Sequence, residues 1–502
     1  MAQAQTEFEI KLIGPRRDIV ALSALAFIRD GAVGPEGWER LTSVYYDSAD
    51  GRLSAAGLSL RIRNDPGGEM LSAKLASKGA SPVARLECER LLTGAGPRFV
   101  CGVAAIDRII GESSDDLAPV ARTQTYRWSR TVCFDGATME ISAEIGRGER
   151  YAPPAAISPI AEIEIELVKG DARAVFALAR RFIEISDGRL RPGGVSKLER
   201  ALGGGRLRAE KPRRVVVDPE SAAIEALSGA LAAGARALAV NSEAAIALSD
   251  AEAARRMRVA LRRFRTFERL FRGAIDSDAL RDLAMNAREY ARLIAGARDV
   301  DVFIADSLTL ADEPGLRARI EARLAAAWFE IAAGLSSKEF ALFSLDLFSA
   351  AYLQRWRLHL KPGAGLNIAQ YAEETLDKRW RRLLIAGAEA DFRAPETLHP
   401  LRIRLKKFRY AAQIFRDLYP KERRSEFFSA MSALQDAFGA VNDAVVAQQI
   451  ADAASAGAGA RTARAAGFIA GFKCAQASAA GAALEPRWQA FSALAPFWRV
   501  EV

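Results

Sequence analysis

The sequence predicts an α+β chain in two parts: a strand-rich antiparallel N-terminal half and an all-helical C-terminal half. Three observations carry that prediction. Segments alternating with period two recur through residues 1–205. From about Ser221 they give way to Ala-, Leu- and Arg-rich helical periodicity. Within the helical half, one eight-residue motif returns 144 positions further on.

The strands come first. Glu7-Phe8-Glu9-Ile10-Lys11, Ser59-Leu60-Arg61-Ile62-Arg63, Leu86-Glu87-Cys88-Glu89 and Glu162-Ile163-Glu164-Ile165-Glu166 alternate charged with apolar residues. Turn residues such as Asn64-Asp65-Pro66-Gly67-Gly68 separate the strands, and helical stretches are confined to about 15–30 and 171–187. Residues 206–220, from the Gly203-Gly204-Gly205 run through Lys211-Pro212-Arg213-Arg214, read as a linker, and residues 221–495 as the helical domain. There Arg258-Val259-Ala260-Leu261-Arg262-Arg263-Phe264-Arg265 returns as Arg402-Ile403-Arg404-Leu405-Lys406-Lys407-Phe408-Arg409. The same offset carries Arg298-Asp299-Val300-Asp301-Val302 onto Asn442-Asp443-Ala444-Val445-Val446, which predicts a duplicated helical bundle. The Ala/Gly-rich run 451–484 contains Phe468, Ile469 and Phe472 and reads as a packed helix.

Composition narrows the chemistry. The 502 residues suffice for two or more domains, and no apolar run reaches the ~20 residues of a membrane span. The four cysteines, Cys88, Cys101, Cys133 and Cys474, lack pairing or metal-site spacing and read as packing residues of a cytoplasmic protein. With only His359 and His399, a histidine zinc centre is excluded, and any metal must be a hard cation held by carboxylates. Residues 1–210 hold 29 Lys and Arg against 28 Asp and Glu, leaving 42 against 34 for the rest. The basic excess of the second part predicts a polyanionic partner there.

Residues two apart on a strand share a face. Glu7, Glu9 and Lys11 therefore project together, as do Arg61 with Arg63, and Glu162 with Glu164 and Glu166. A closed barrel with its apolar face against covering helices would enclose a channel lined by both signs of charge. A linear triphosphate needs Lys and Arg along its length, and its cleavage needs Mg²⁺ or Mn²⁺ on carboxylates. The alternative is a half-exposed sheet whose solvent face carries cross-strand salt bridges.

Glu7-Phe8-Glu9-Ile10-Lys11 resembles the ExExK signature of CYTH domains, the triphosphate tunnel metalloenzymes. Tyr45-Tyr46-Asp47, Leu60-Arg61-Ile62-Arg63, Lys74, Arg85-Leu86-Glu87-Cys88-Glu89, Arg127, Arg130, Glu162-Ile163-Glu164-Ile165-Glu166 and Ser196-Lys197-Leu198 follow in that family's order. The resemblance spans about 200 residues and implies an eight-stranded antiparallel tunnel that binds a triphosphate and a divalent metal. It implies metal ligation by Glu7, Glu9 and two of Glu162, Glu164 and Glu166, with Glu144 standing where the family usually has aspartate. Phosphate falls to Lys11, Arg61, Arg63, Lys74, Arg85, Arg127, Arg130 and Lys197, and catalysis to Glu7, Glu9, Lys11, Arg61 and Arg63.

In the helical half, Arg255, Arg258, Arg262, Arg265 and Arg269 fall within an arc of about 80° at 100° per residue. His399, Arg402, Lys406 and Arg409 repeat the stripe. Cations so spaced repel one another, and an anionic partner relieves the repulsion. No aromatic stacking platform for nucleic acid accompanies them. Together with Leu434-Gln435-Asp436-Ala437-Phe438-Gly439, the motifs resemble a CHAD domain, which implies two helical bundles around a basic cavity for inorganic polyphosphate. Arg255 departs from the histidine usual at that position. Trp328, Trp356 and Trp380 read as core residues, and His359 as an exposed helix residue. The function expected is an inorganic triphosphatase associated with polyphosphate granules. The competing readings are an adenylate cyclase, a thiamine or nucleoside triphosphatase of the same fold, and a non-catalytic polyphosphate scaffold.

Overall fold

The structure is a computed structural model that describes residues 5–25, 28, 37–65, 67–76, 84–92, 99–111, 116–152, 156–203, 209–212, 215, 219–361, 365–392 and 398–499. The side chains of residues 5–7, 65, 76, 84 and 85 also lie outside the description.

The strand-rich half contains β1 (Gln5–Ile13), α1 (Arg16–Ser23), β2 (Glu39–Asp47), α2 (Arg52–Ala55), β3 (Leu58–Asp65), β4 (Gly68–Ala76) and β5 (Ala84–Leu91). It continues with α3 (Ala104–Gly111), β6 (Ala118–Phe134), β7 (Ala137–Arg150), β8 (Ala156–Lys169), α4 (Arg173–Ile185), β9 (Arg191–Pro192) and α5 (Lys197–Gly203). The strands form one antiparallel sheet of nine, ordered β5-β4-β3-β2-β6-β7-β8-β1-β9, and β5 also pairs with β1. Eight strands were expected; the ninth is the two-residue β9 alongside β1. The long β6–β7 hairpin turns on Asp135 and Gly136, with φ of 49° and 73°. Asp-Gly is the pair that tolerates two positive φ values at a tight hairpin turn.

Helices α2, α3 and α5 lie outside the two stretches that periodicity predicted. They are too short for a periodic signal, and local bonds fix them. The Asp107 carboxylate accepts from the Cys101 and Gly102 N–H groups at 2.8 Å at the start of α3. The apolar sheet face, including Leu60, Ile62, Leu71, Ala73 and Cys88, buries against Cys101, Ile106 and Ile110. On β1, Phe8 meets Phe176 of α4 edge-on at 6.2 Å.

The helical half runs α6 (Glu225–Leu248), α7 (Ala251–Phe271), α8 (Asp278–Asp306), α9 (Pro314–Leu335), α10 (Lys338–Tyr352), α11 (Ile368–Ala388), α12 (Leu398–Phe415), α13 (Lys421–Ser455), α14 (Ala460–Ala482) and α15 (Leu484–Ser492). The first repeated motif falls on α7 and α12, the second on α8 and α13. The chain divides into two compact units. One comprises Met1–Arg213, Leu231–Met257 and Ala333–Arg355; the other Arg214–Ala230, Arg258–Ala332 and Trp356–Val502. In the second unit, Trp380 packs against Phe408 at 5.3 Å, Phe427 at 5.4 Å and Phe491 at 5.3 Å. That cluster anchors the apolar side of α12 and so orients its basic side.

Several expectations are corrected here. Helix α6 is long and apolar enough by composition to cross a membrane, but 67% of its apolar window is buried inside the protein. It carries Arg236, bound to Glu199 at 2.9 Å and Glu210 at 3.0 Å, as a core helix can and a lipid-facing one cannot. Trp356 and Trp380 are buried, whereas Trp328 is half-buried. Residues 460–482 do form a helix with Ile469 in its core, yet Phe468 and Phe472 point to solvent. Cys88 and Cys101 are buried; Cys133 and Cys474 are exposed.

Candidate functional site

Cross-strand register decides which side chains share a face, because directly opposed residues of neighbouring strands point the same way. Glu9 opposes Glu166, which opposes Glu140; Lys11 opposes Glu164, which opposes Ser142. Glu162 opposes both Ile13 and Glu144, and Glu144 opposes Arg127. On the other strands, Glu7 faces Arg85, Lys74 faces Glu87, and Arg61 lies between Tyr45 and Ser72. Glu9, Lys11, Arg61, Arg63, Lys74, Arg127, Glu144, Glu162, Glu164, Glu166 and Lys197 thus belong to one charged assembly, and the backbone register sets positions 7 and 85 opposite each other. The Glu7 and Arg85 side chains themselves lie outside the described residues. Arg130 is not part of it: three positions beyond Arg127 and opposite Ile141, it sits on the other face.

At the centre, carboxylates converge on two ammonium groups. Lys197 Nζ lies 2.7 Å from Glu144 Oε1, 3.1 Å from Glu164 Oε2 and 3.2 Å from Glu162 Oε1. Lys11 Nζ lies 2.9 Å from Glu162 Oε1 and 3.2 Å from Glu164 Oε1. Around them Lys74 reaches Glu87 at 3.2 Å, and Arg127 reaches Glu140 at 3.1 Å. Gly193 leaves room for the Lys11 stem, since a Cβ there would meet Lys11 Cγ at 3.2 Å and Ile13 Cγ2 at 2.7 Å.

Burial opposes ionisation of Glu164, yet Lys197, Lys11, Lys74 and Arg127 outweigh it and hold the carboxyl well below its usual range. Burial likewise opposes charge on Lys197, but Glu144, Glu164 and Glu162 hold its proton well above the ordinary lysine value. Lys11, Arg61 and Arg127 are raised, and Glu144 lowered, by the same contest, with Tyr45 the chief partner of Arg61. Glu144 and Glu164 therefore stay ionised, and Lys11, Lys197, Arg61 and Arg127 stay protonated, at neutral pH.

The donor set fits a hard divalent cation. Carboxylate oxygens are what such ions take, and Glu162 Oε2 is buried without a hydrogen-bond partner. Among the described residues no three acidic groups stand at metal-ligand spacing, because Glu144, Glu162 and Glu164 close on the Lys197 ammonium.

The helical unit is the converse. Arg258 and Arg262 of the first motif copy and Arg402 and Lys406 of the second lie close enough to repel one another. Burial first, then Arg402, Arg262 and Arg258, push Lys406 down to about 8, with Asp443 in partial relief. Arg262 stands over the Tyr410 ring at 5.0 Å. Arg265 is repelled by a separate set, Arg269, Arg288 and Arg292. Arg255 is bound to Glu252 through Nη2 at 2.7 Å, and His399 is exposed. Arg409, on α12, lies half-buried.

Comparison with known proteins gives a CYTH domain match over residues 5–202 and a CHAD domain match over residues 229–452. The chain carries a CYTH domain followed by a CHAD domain. The crystal structure of the CHAD domain from the plant Ricinus communis superposes with a TM-score of 0.50 at 26% identity, covering 57% of this chain and 98% of that one. PptA from Streptomyces chartreusis gives 0.43 at 18% identity, covering 52% and 98%. A candidate adenylyl cyclase from Hippeastrum, described as having a dominant triphosphatase activity, gives 0.29 at 19% identity, covering 40% and 97%. CYTH domains are metal-dependent triphosphate tunnel enzymes, commonly of phosphoryl-transfer or hydrolytic activity.

Some members of the CYTH face were missed as site residues: Glu87, Glu140 and Tyr45. Period-two alternation could have found Glu87, which shares its strand face with Arg85 and Glu89. In the CHAD domain, Asp299 and Asp443 belong with the cations, and the 144-residue offset was the signal, because it carries one onto the other.

Proposed function

We propose that the chain is an inorganic triphosphatase, splitting tripolyphosphate into pyrophosphate and phosphate with Mg²⁺ or Mn²⁺. The observation that carries this is the single sheet face on which Glu144, Glu162 and Glu164 meet Lys11 and Lys197 at salt-bridge distance, flanked by further carboxylates and arginines. The β5–β1 pairing supports closure of eight strands into a tunnel around that face. In this reading Glu7, Glu9, Glu144, Glu162 and Glu164 hold the metal, with Glu166 adjoining. The metal would neutralise phosphate charge and position a water. Lys11, Arg61, Arg63, Lys74, Arg85, Arg127 and Lys197 bind phosphate oxygens and stabilise the charge that builds as the bridging P–O bond breaks. Substrate phosphates compete with the carboxylates for Lys11 and Lys197, and a cation bound by Glu144, Glu162 and Glu164 would compensate the charge those carboxylates lose. In the CHAD domain, Arg258, Arg262, Arg402 and Lys406 bind inorganic polyphosphate, with Arg265, Arg269 and Arg409 further along the same helices.

Metal-dependent phosphate release should be measured against tripolyphosphate, ATP, thiamine triphosphate and long-chain polyphosphate. The expected result is preference for tripolyphosphate and loss of at least a hundredfold in Glu9→Gln and Lys11→Ala. Unchanged turnover in both variants would sink the assignment.

A further inference from the structure

A cavity of about 700 Å³ lies in the sheet-bearing unit, lined by Ile13, Gly146, Ile160, Arg191, Arg200 and Glu243 among others. It adjoins the charged face. Glu144 opposes Glu162, Glu162 opposes Ile13, and Ile13 opposes Arg191, so Arg191 continues the row that holds two central carboxylates. At about 4.8 Å per strand, its backbone stands roughly 10 Å from that of Glu162. Arg200 is near enough for its charge to act on Glu162.

The two arginines differ in one respect. Arg200 is committed, with Nη1 and Nη2 donating to the two Glu243 oxygens at 2.8 and 3.1 Å. The Arg191 guanidinium has no hydrogen bond or ion pair among the described residues, and its Nε is buried without a partner. Glu243 therefore pairs with Arg200 and acts on Arg191 only through its charge at a longer distance. Burial first, and Arg200 after it, weaken the Arg191 hold on its proton, with Glu243 in partial compensation. A guanidinium presents five donors in a planar fork, and with its Nε buried and its other donors unbonded within the described fold, that of Arg191 suits an oxyanion in the cavity.

We propose that this cavity is a further phosphate subsite, in which Arg191 binds the end of a linear inorganic phosphate chain longer than three units. The identity of that chain rests on the triphosphatase reading of the neighbouring carboxylates; the presence of an anion subsite at Arg191 does not.

The test is calorimetric titration of the full chain with tripolyphosphate, tetrapolyphosphate and ATP, with metal chelated to prevent turnover. Any binding by the helical unit is common to wild type and variants and cancels in affinity ratios between them. In Arg191→Gln the tetra- to tripolyphosphate affinity ratio should fall about tenfold, as loss of a charge-assisted hydrogen bond predicts. Arg191→Lys should restore part of it, and it decides the matter alone if the Gln variant does not fold. An unchanged ratio in the folded variants overturns the subsite. So does a larger loss for ATP, which would assign the cavity to an organic group. Absent turnover of tripolyphosphate would remove the triphosphatase reading while leaving this ratio decisive for the subsite.

Discussion

The two charged regions of this protein handle charge in opposite ways. On the sheet face, cations and carboxylates are both buried and interleaved: Lys197 alone touches Glu144, Glu162 and Glu164. In the helical unit, Arg258, Arg262, Arg402 and Lys406 crowd together with Asp299 and Asp443 as partial relief. A compensated cluster is stable without ligand and must exchange partners to bind one. An uncompensated cluster is destabilising without ligand and gains directly when an anion arrives. Removing one cation should therefore destabilise the first region and stabilise the second.

The largest effect is expected at Lys197. Lys197→Met leaves Glu144, Glu162 and Glu164 with Lys11 and Arg127 as their remaining cations, and breaking a buried ion pair from one side destabilises by about 3–5 kcal/mol. Denaturant unfolding checks this, and Mg²⁺ or Mn²⁺ should recover part of the loss in the variant. An unaltered midpoint would mean that the carboxylates are hydrated and the compensation is not real.

The pH dependence separates the regions next. Glu144 and Glu164 are held below their ordinary 4.5, so their contribution is present above that value and lost as acid passes their lowered folded values. Lys11 and Lys197 are held above 10.5, so theirs is present below that value and lost as alkali passes their raised ones. These four groups should accordingly contribute constant stability to the sheet unit between those limits. Lys406 runs the other way: at about 8 when folded against 10.5 unfolded, it makes the helical unit more stable as pH rises from 8 to 10.5. Lys406→Met should abolish that rise and stabilise the unit at pH 7 by of order 1 kcal/mol after solvent screening. Polyphosphate affinity should weaken above pH 8 in wild type, and calorimetry in buffers of different ionisation enthalpy should show proton uptake on binding.

The legibility of these features followed their periodicity. Strict alternation in Glu7–Lys11, Arg61–Arg63 and Glu162–Glu166 was enough to assign one face, because a strand has only two. It was silent on Arg191, whose strand of two residues has no pattern at all. Likewise, α3 and α5 each bury only a pair or so of apolar residues, Ile106 with Ile110 and Leu198 with Ala201, over eight and seven residues, too little for a period to register in the sequence. Arg130 entered the phosphate set through its place in the family's order of motifs, which carries no information on strand parity, and the register sets it opposite Ile141. In the helical half, the fixed 144-residue offset located both basic helices, but which cations meet in space depends on packing around Trp380 and Phe408 that no single helix encodes.

The smallest predicted effect is the most selective probe of the helical cluster. Arg255 begins the stripe at helical spacing, yet its guanidinium is bound to Glu252 in a half-exposed pair, and its residue groups with the sheet-bearing unit. Exposed pairs of that kind contribute about 0.2–0.5 kcal/mol. Arg262 instead faces Tyr410 and acts on Lys406, with its Nε buried and unpartnered. Arg255→Ala should thus change stability by less than about 0.5 kcal/mol and polyphosphate affinity by less than about twofold. Arg262→Ala should lower affinity about tenfold and raise the Lys406 pKa by removing a repelling charge, which NMR titration of labelled lysine would detect. Equal losses of affinity in the two variants would mean that the stripe acts as a continuous surface, and that the distinction between paired and unpaired cations does not govern anion binding.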